Sequence, residues 1–191
     1  MSGCLFPVFL KLEGRPVVLV GGGAVAAAKL RALLDARADV TVVAPRVREE
    51  ILAAPARVRL REFEDSDVDG AWLVIAAATP EVNRRARAAG DSRRVFVNAV
   101  DDPEVASAYT GGVLRRGGAT IAVSTEGRAP ALAGLLREGL LAVIPDEIET
   151  WVAAAQALRG RQKAEGVPLA ERRPLLLEAL NQLYALKRGA A

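Results

Sequence analysis

The sequence predicts an α/β chain: a parallel, doubly wound sheet, then a small strand–helix segment, then a C-terminal helical domain. Three observations predict it. Short runs of β-branched residues alternate with helical runs as far as residue 110, the signature of parallel strands joined by crossover helices. A glycine turn, Gly21-Gly22-Gly23, separates the first such run, Val17-Val-Leu-Val20, from an alanine- and leucine-rich stretch reaching Leu34. From Tyr109 onward the alternation stops, giving two short strands and then helices. The domains expected are therefore 1–110, 111–144 and 145–191.

Taken in order, residues 5–10 are a short apolar lead-in, and residues 11–16 turn into the first strand. After the first helix, Val40-Thr-Val-Val-Ala44 is a second buried strand, ended by Pro45. Residues 46–54 suit a short amphipathic helix. Residues 58–63 alternate apolar and charged side chains, as an edge strand does, and 64–69 are acidic and turn-like. Trp72-Leu-Val-Ile-Ala-Ala77 is a fully apolar strand, and Thr79-Pro80 is an N-cap followed by proline at the first helical position. Val95-Phe-Val-Asn-Ala-Val100 is the next strand. Two short strands meet at 115–118, and a helix covers 131–143. A helical tail follows from Pro145, broken at Gly166-Val-Pro168. Its apolar residues, among them Trp151, Leu158, Leu175, Leu176, Leu180 and Leu183, call for burial in core or in a dimer contact.

Gly21-x-Gly23-x-x-Ala26 fits the G-x-G-x-x-G/A fingerprint in its required setting, strand before and helix after. Gly21 permits the tight turn, Gly23 admits a pyrophosphate close to the backbone, and Ala26 allows close helix–strand packing. The helix start offers free N–H groups to negative charge. A plain strand–helix turn is the alternative. Ligands in such sheets bind beyond the carboxyl ends of the strands, which brings 21–23, 44–46, 76–79 and 98–101 to one edge.

Composition narrows the chemistry. The net charge is +3 and is spread along the chain without an aromatic-interleaved basic stripe, so no nucleic-acid partner is expected. No apolar run is long enough for a bilayer, and no membrane association is expected. The opening residues lack a secretory pattern and Cys4 is the one cysteine, so a reducing cytoplasm is expected. Histidine is absent. Acid–base work therefore falls to Asp, Glu, Lys or Tyr, and no imidazole or thiolate metal site is expected.

At this point the sequence resembles a known family, the siroheme-synthase dehydrogenase module or precorrin-2 dehydrogenase. The likeness runs through Phe6-Pro-Val-Phe-Leu-Lys-Leu-Glu-Gly14, the glycine loop with Lys29, Val42-Val-Ala-Pro45, and Ala76-Ala-Ala-Thr79 with Asn83. It continues in Val97-Asn-Ala-Val-Asp-Asp-Pro103 and Ala122-Val-Ser-Thr-Glu-Gly-Arg-Ala-Pro130. The glycine fingerprint is generic, whereas the last two stretches at this separation are specific. The resemblance implies a Rossmann-type domain, a strand–helix segment exchanged across a homodimer, and a helical C-terminal domain. It implies NAD-dependent oxidation of the tetrapyrrole precorrin-2 to sirohydrochlorin, with Fe2+ insertion to siroheme in some members. No downstream methyltransferase is expected, since the sequence ends at Ala191.

Asp101 matches the family's catalytic aspartate, and a strand-end place beside the cofactor suits a general base or an orienting carboxylate. The alternative is a turn residue before Pro103, the favoured reading for Asp102. The resemblance assigns Ala24, Val25, Pro45 and Arg46 to the dinucleotide, mainly through backbone. Asn98 suits contact with nicotinamide or substrate, or a strand-end cap. A substrate rich in carboxylates calls for guanidiniums, for which Arg115, Arg116, Arg128 and Arg137 are candidates beside ordinary surface roles. Ser124 and Thr125 suit a substrate carboxylate or a helix-capping loop. Glu126 and Ala129 stand where relatives commonly have Gly and Ser. Arg46 also takes the place of the usual acidic ribose ligand; by chemistry alone it suits a 2′-phosphate and NADP, whereas the resemblance favours NAD. The competing reading is a non-enzymatic dinucleotide-sensing domain, which leaves 98–101 and 124–130 unused.

Overall fold

The computed structural model describes residues 5–189, with side chains through residue 182. Cys4 and the Leu183 side chain lie outside that description. The chain divides into two compact units, residues 1–111 with 124–130, and residues 112–123 with 131–191.

The first unit is the parallel sheet. Its strands are β1 (Pro16–Val20), β2 (Asp39–Val43), β3 (Arg57–Arg59), β4 (Leu73–Ala76) and β5 (Phe96–Ala99), in spatial order β3-β2-β1-β4-β5. Every pairing is parallel. Helices α1 (Ala24–Asp35) and α3 (Pro80–Arg93) cover opposite faces, and the short α2 (Glu49–Leu52) joins the α1 side. Alternation along the strands sorts the core: Val17, Leu19, Val40, Val42, Leu73 and Ile75 pack under α1. Val18, Val20, Val43, Val74 and Ala76 pack under α3. Burying each Val, Leu or Ile contributes about 2 kcal/mol, so the central strands dominate this unit's stability. The strand order reverses direction between β1 and β4, which makes the crevice beyond their carboxyl ends the topological switch point.

Local sequence explains most boundaries. On α1, Ala26, Ala27, Leu30 and Leu33 form the buried stripe at helical spacing. The Thr79 hydroxyl accepts from the Val82 N–H and Pro80 stands at the first helical position, so α3 starts as expected. Three expectations change. The strand expected at 58–63 is the three-residue β3, because Arg59 and Arg61 both turn to the buried carboxylate of Asp67. Asp67 sits in a 3-10 turn at Asp65–Val68 with a reciprocal capping box to Glu64. The helix expected over 46–54 shrinks to α2 because Arg48 donates its N–H to the Gly22 carbonyl and ties the segment to the glycine loop. Trp72 lies outside β4, more than half exposed, with the Arg15 guanidinium stacked 4.1 Å from its ring centre.

The second unit holds the antiparallel hairpin β6 (Gly112–Arg116) and β7 (Ala119–Val123), then α4 (Pro130–Val143), α5 (Ile148–Ala164) and α6 (Leu169–Gly189). The hairpin turns on Gly117 and Gly118, both at positive φ, the conformation a two-residue type I′ loop requires. The break between α5 and α6 falls at Gly166, also at positive φ. Trp151, Leu158, Leu176 and Leu180 are half-buried in this unit and Leu175 is exposed. Among the described residues no helix is long and apolar enough to cross a membrane.

Candidate active site

The turn from β1 into α1 is shaped by backbone contact. Gly21 holds φ at +123°, and a Cβ there would lie 2.2 Å from the Ala77 carbonyl oxygen at the end of β4. A Cβ on Gly22 would lie 2.0 Å from the Arg46 carbonyl oxygen beyond β2. Both glycines are therefore required so that the three strand-end loops can touch. Gly23 differs, with an ordinary extended backbone and open space where its Cβ would stand. It is the N-cap of α1 without a side-chain cap, and the first turn of α1 carries no acid. The N–H groups of the first turn have no partner inside the helix. An anionic pyrophosphate fits this cradle: bare backbone, unopposed N–H groups and the positive end of a 12-residue helix.

The neighbouring loops are braced from within. The buried Asn83 side chain accepts from the Ala78 N–H at 3.0 Å, fixing the β4–α3 loop on which Gly21 rests. Beyond β5, residues 105–108 cover the open edge of the sheet. The Ser107 and Ala108 N–H groups donate to the Val97 carbonyl, and the Val97 N–H donates to the Ser107 hydroxyl. Asn98 is buried; its amide NH2 donates to the Ala108 carbonyl at 2.9 Å and its amide oxygen accepts from the Thr110 hydroxyl. Thr110 in turn accepts from the Lys29 ammonium of α1 at 2.7 Å. Burial pushes the Lys29 ammonium below its ordinary pKa, and the nearby Asp101 carboxylate pulls it partly back. Asp101 is exposed, in the left-handed conformation at φ +60°, just past β5. Asp102 accepts from the Val105 N–H, a turn role.

The loop 124–130 belongs to this same unit. Gly127, at φ +75°, comes so close that a Cβ would stand 2.7 Å from the Pro103 ring and 3.3 Å from the Tyr109 ring. The Tyr109 hydroxyl donates to the Pro103 carbonyl, which holds the Asp101–Pro103 turn against this loop. Ser124 accepts from the Glu126 N–H, and Thr125 accepts from the Ala129 N–H.

The first unit thus contains Gly21, Gly23, Ala24, Val25, Pro45, Arg46, Asn98, Asp101, Ser124, Thr125 and Arg128. Ala24, Val25, Pro45 and Arg46 are exposed, and Arg128 pairs with Glu126. Arg115, Arg116 and Arg137 belong to the second unit. Arg116 there donates to the Leu141 and Ile144 carbonyls and pairs with Asp146, and Arg137 pairs with Glu138. Arg115 is exposed. Sequence reasoning named Gly22, Lys29 and Asn83 without giving them a role, and it missed Thr110. The signal for Gly22 was present in the third consecutive glycine, which an ordinary turn does not need.

Fold and cradle define a dinucleotide-binding α/β protein. Residues 8–112 match the family described as putative NAD(P)-binding, and the chain belongs to that family. It is 40% identical over 96% of its length to siroheme synthase 3 of Aeromonas hydrophila, covering 41% of that protein. It is 37% identical over 94% of its length to the siroheme synthase of Neisseria meningitidis serogroup C, covering 38% of it. The chain therefore spans about two fifths of the length of the curated relatives it matches. A solved structure titled SirC, precorrin-2 dehydrogenase, superposes with a TM-score of 0.73 at 24% identity, covering 95% of this chain and 92% of that one, and shares its fold. The likeness to siroheme synthases read from the motifs is borne out by these relatives.

Proposed function

We propose that this chain oxidises precorrin-2 to sirohydrochlorin with NAD as electron acceptor. The observation that supports it most is the gathering of the glycine cradle, the Asp101 turn and the 124–130 loop in one compact unit. The last two are stretches of the siroheme-synthase resemblance that a bare nucleotide sensor would not use. Bound NAD+ supplies the hydride acceptor. The chain's residues do the rest. The first-turn N–H groups of α1 hold the pyrophosphate, with Gly23 leaving room for it and Gly21 and Gly22 keeping the strand-end loops in contact. Ala24, Val25, Pro45 and Arg46 line the approach. The Asp101 carboxylate takes the proton that leaves the macrocycle with the hydride, and its exposure lets it pass that proton to water. Asn98, with both ends of its amide engaged, fixes the strand end on which Asp101 is mounted. In the first unit Ser124, Thr125 and Arg128 are the candidates for the substrate carboxylates; in the second unit Arg115 remains a candidate, whereas Arg116 and Arg137 are engaged within that unit.

The reading includes a homodimer in the cytoplasm. Support for the dimer comes from the apolar side chains that β6 and α4 leave exposed, Val113, Leu132, Leu135 and Val143 among them. The test is anaerobic incubation of the full chain with precorrin-2 and NAD+, followed by visible spectroscopy. A sirohydrochlorin spectrum with equimolar NADH is the expected result. Asp101→Ala should lose turnover and keep NAD+ binding; an unchanged rate in that variant overturns the role given to Asp101. Fe2+ added at completion tests metal insertion as a second step, read as a rate above the spontaneous one.

A further inference from the structure

Lys29 is the one lysine on α1, placed on the face that looks toward the end of β5, and nothing in the proposed reaction has used it. Its ammonium starts a directed chain of hydrogen bonds. Lys29 donates to Thr110 at 2.7 Å, Thr110 donates to Asn98, and Asn98 donates to the Ala108 carbonyl. That chain closes an arch: residues 98 and 110 are the two feet of the segment bearing Asp101, and the bridge pins both to α1. The arch carries Asp101 in a left-handed backbone, which aspartate visits more readily than most residues but less readily than glycine, so its neighbours must hold it there.

Resting on the reading of Asp101 as the proton acceptor, we propose that Lys29 is a positioning residue of this site. Its ammonium holds the arch in shape through Thr110 and Asn98, and adds positive charge in the neighbourhood of Asp101. A half-buried lysine is costly to keep charged, and here burial does push the ammonium toward neutrality while Asp101 opposes it. One of its three N–H donors goes to the hydroxyl of the arch.

The experiment compares wild type, Lys29→Met, Lys29→Arg and Thr110→Val as full chains. The first readout is kcat against KM for precorrin-2 oxidation. The second is made without cofactor: the Lys29 ammonium titration by 13C NMR of its ε-carbon, identified by its loss in Lys29→Arg. The expected result for Lys29→Met is a kcat lowered at least tenfold, with KM and NAD+ affinity within twofold. Lys29→Arg should recover a substantial part of that kcat. Thr110→Val should also lower kcat, since it breaks the bridge. Asp101→Asn should move the Lys29 midpoint further down, since it removes the carboxylate that opposes burial. Wild-type kcat in Lys29→Met overturns the proposal. If Lys29→Met does not fold, Thr110→Val and Lys29→Arg decide it: wild-type kcat in Thr110→Val overturns the bridge. If wild type does not oxidise precorrin-2, the reaction assignment fails, and an unmoved Lys29 midpoint in Asp101→Asn then overturns the Lys29–Asp101 interaction.

Discussion

The two outer glycines of the fingerprint differ in what a methyl group would meet, so one substitution made at each separates folding from binding. Gly21→Ala forces a Cβ to within 2.2 Å of the Ala77 carbonyl oxygen and 2.7 Å of its carbon, both backbone atoms. Shifting packed neighbours to admit it costs about 1–3 kcal/mol. Holding alanine at φ +123° costs about 1–3 kcal/mol more. A total near ~4 kcal/mol is a large share of the roughly 5–15 kcal/mol that holds an ordinary domain together. At roughly 4 °C per kcal/mol the melting temperature falls by about 15 °C. Gly23→Ala meets open space at φ −83°, which alanine adopts freely. A slightly poorer N-cap, by about 0.5 kcal/mol, is offset by about as much from reduced freedom in the unfolded chain. The melting temperature should stay within about 2 °C. The new methyl stands where the pyrophosphate must approach, so NAD+ affinity should drop at least about tenfold, the equivalent of ~1.4 kcal/mol. Differential scanning fluorimetry and isothermal titration calorimetry on both variants check this. Unchanged NAD+ binding in Gly23→Ala, or an unchanged melting temperature in Gly21→Ala, would refute the reasoning.

Three further outcomes follow from other sites. Asp67→Asn should destabilise the first unit by about 2 kcal/mol, the buried-pair cost discounted because Arg59 and Arg61 keep solvent contact. Burial works to raise the Asp67 pKa, but hydrogen bonds from Arg61, the Glu64 N–H and Arg59 outweigh it and hold the carboxyl below its usual range. That stability is therefore complete above about pH 4 and is lost as pH falls through the depressed folded value, so melting curves from pH 6 to pH 2 should fall more steeply in wild type than in Asp67→Asn. Arg116→Ala should lower the melting temperature of the second unit, since it removes donors to two carbonyls and a pair with Asp146, whereas Arg115→Ala should leave melting unchanged and raise KM for precorrin-2 several-fold. Arg46→Ala should change kcat/KM with NAD+ less than about threefold and lower that with NADP+ at least about tenfold; equal effects on the two would remove Arg46 from any ribose-phosphate role.

The sheet was legible because its determinants are local and repeated. Val17–Val20 and Leu73–Ala76 are apolar on both faces, as strands under two helix layers must be, and the switch point follows from connectivity. The β3 region was misjudged because alternation in 58–63 is a period-two pattern that three arginine–aspartate contacts override. Nothing in the spacing of Arg59, Arg61 and Asp67 announces a buried carboxylate, since the same residues suit a solvated edge. In the proposed site, Gly21, Gly23 and Asp101 are candidates taken from a motif and a family likeness. Lys29 and Asn83 stood in the motifs without a role, because the Lys29–Thr110 and Thr110–Asn98 bonds span 81 and 12 residues and the Asn83 bond to the Ala78 N–H needs the folded β4–α3 turn.

The division of labour explains why the nucleotide half is easier to read than the substrate half. In the proposed reading dinucleotide recognition is a backbone matter: glycines too crowded for a Cβ, one glycine left open, and the start of a helix. Such a site is written in residues that are conspicuous by what they lack. Recognition of a polycarboxylate depends instead on arginines, and an arginine's partner is set by tertiary structure. Arg116 illustrates the point, because a guanidinium that looked available in sequence is committed to the Leu141 and Ile144 carbonyls at the end of α4. Of the arginine candidates Arg115 alone has an exposed side chain with no partner among the described residues, which makes it the first position at which to look for substrate contact.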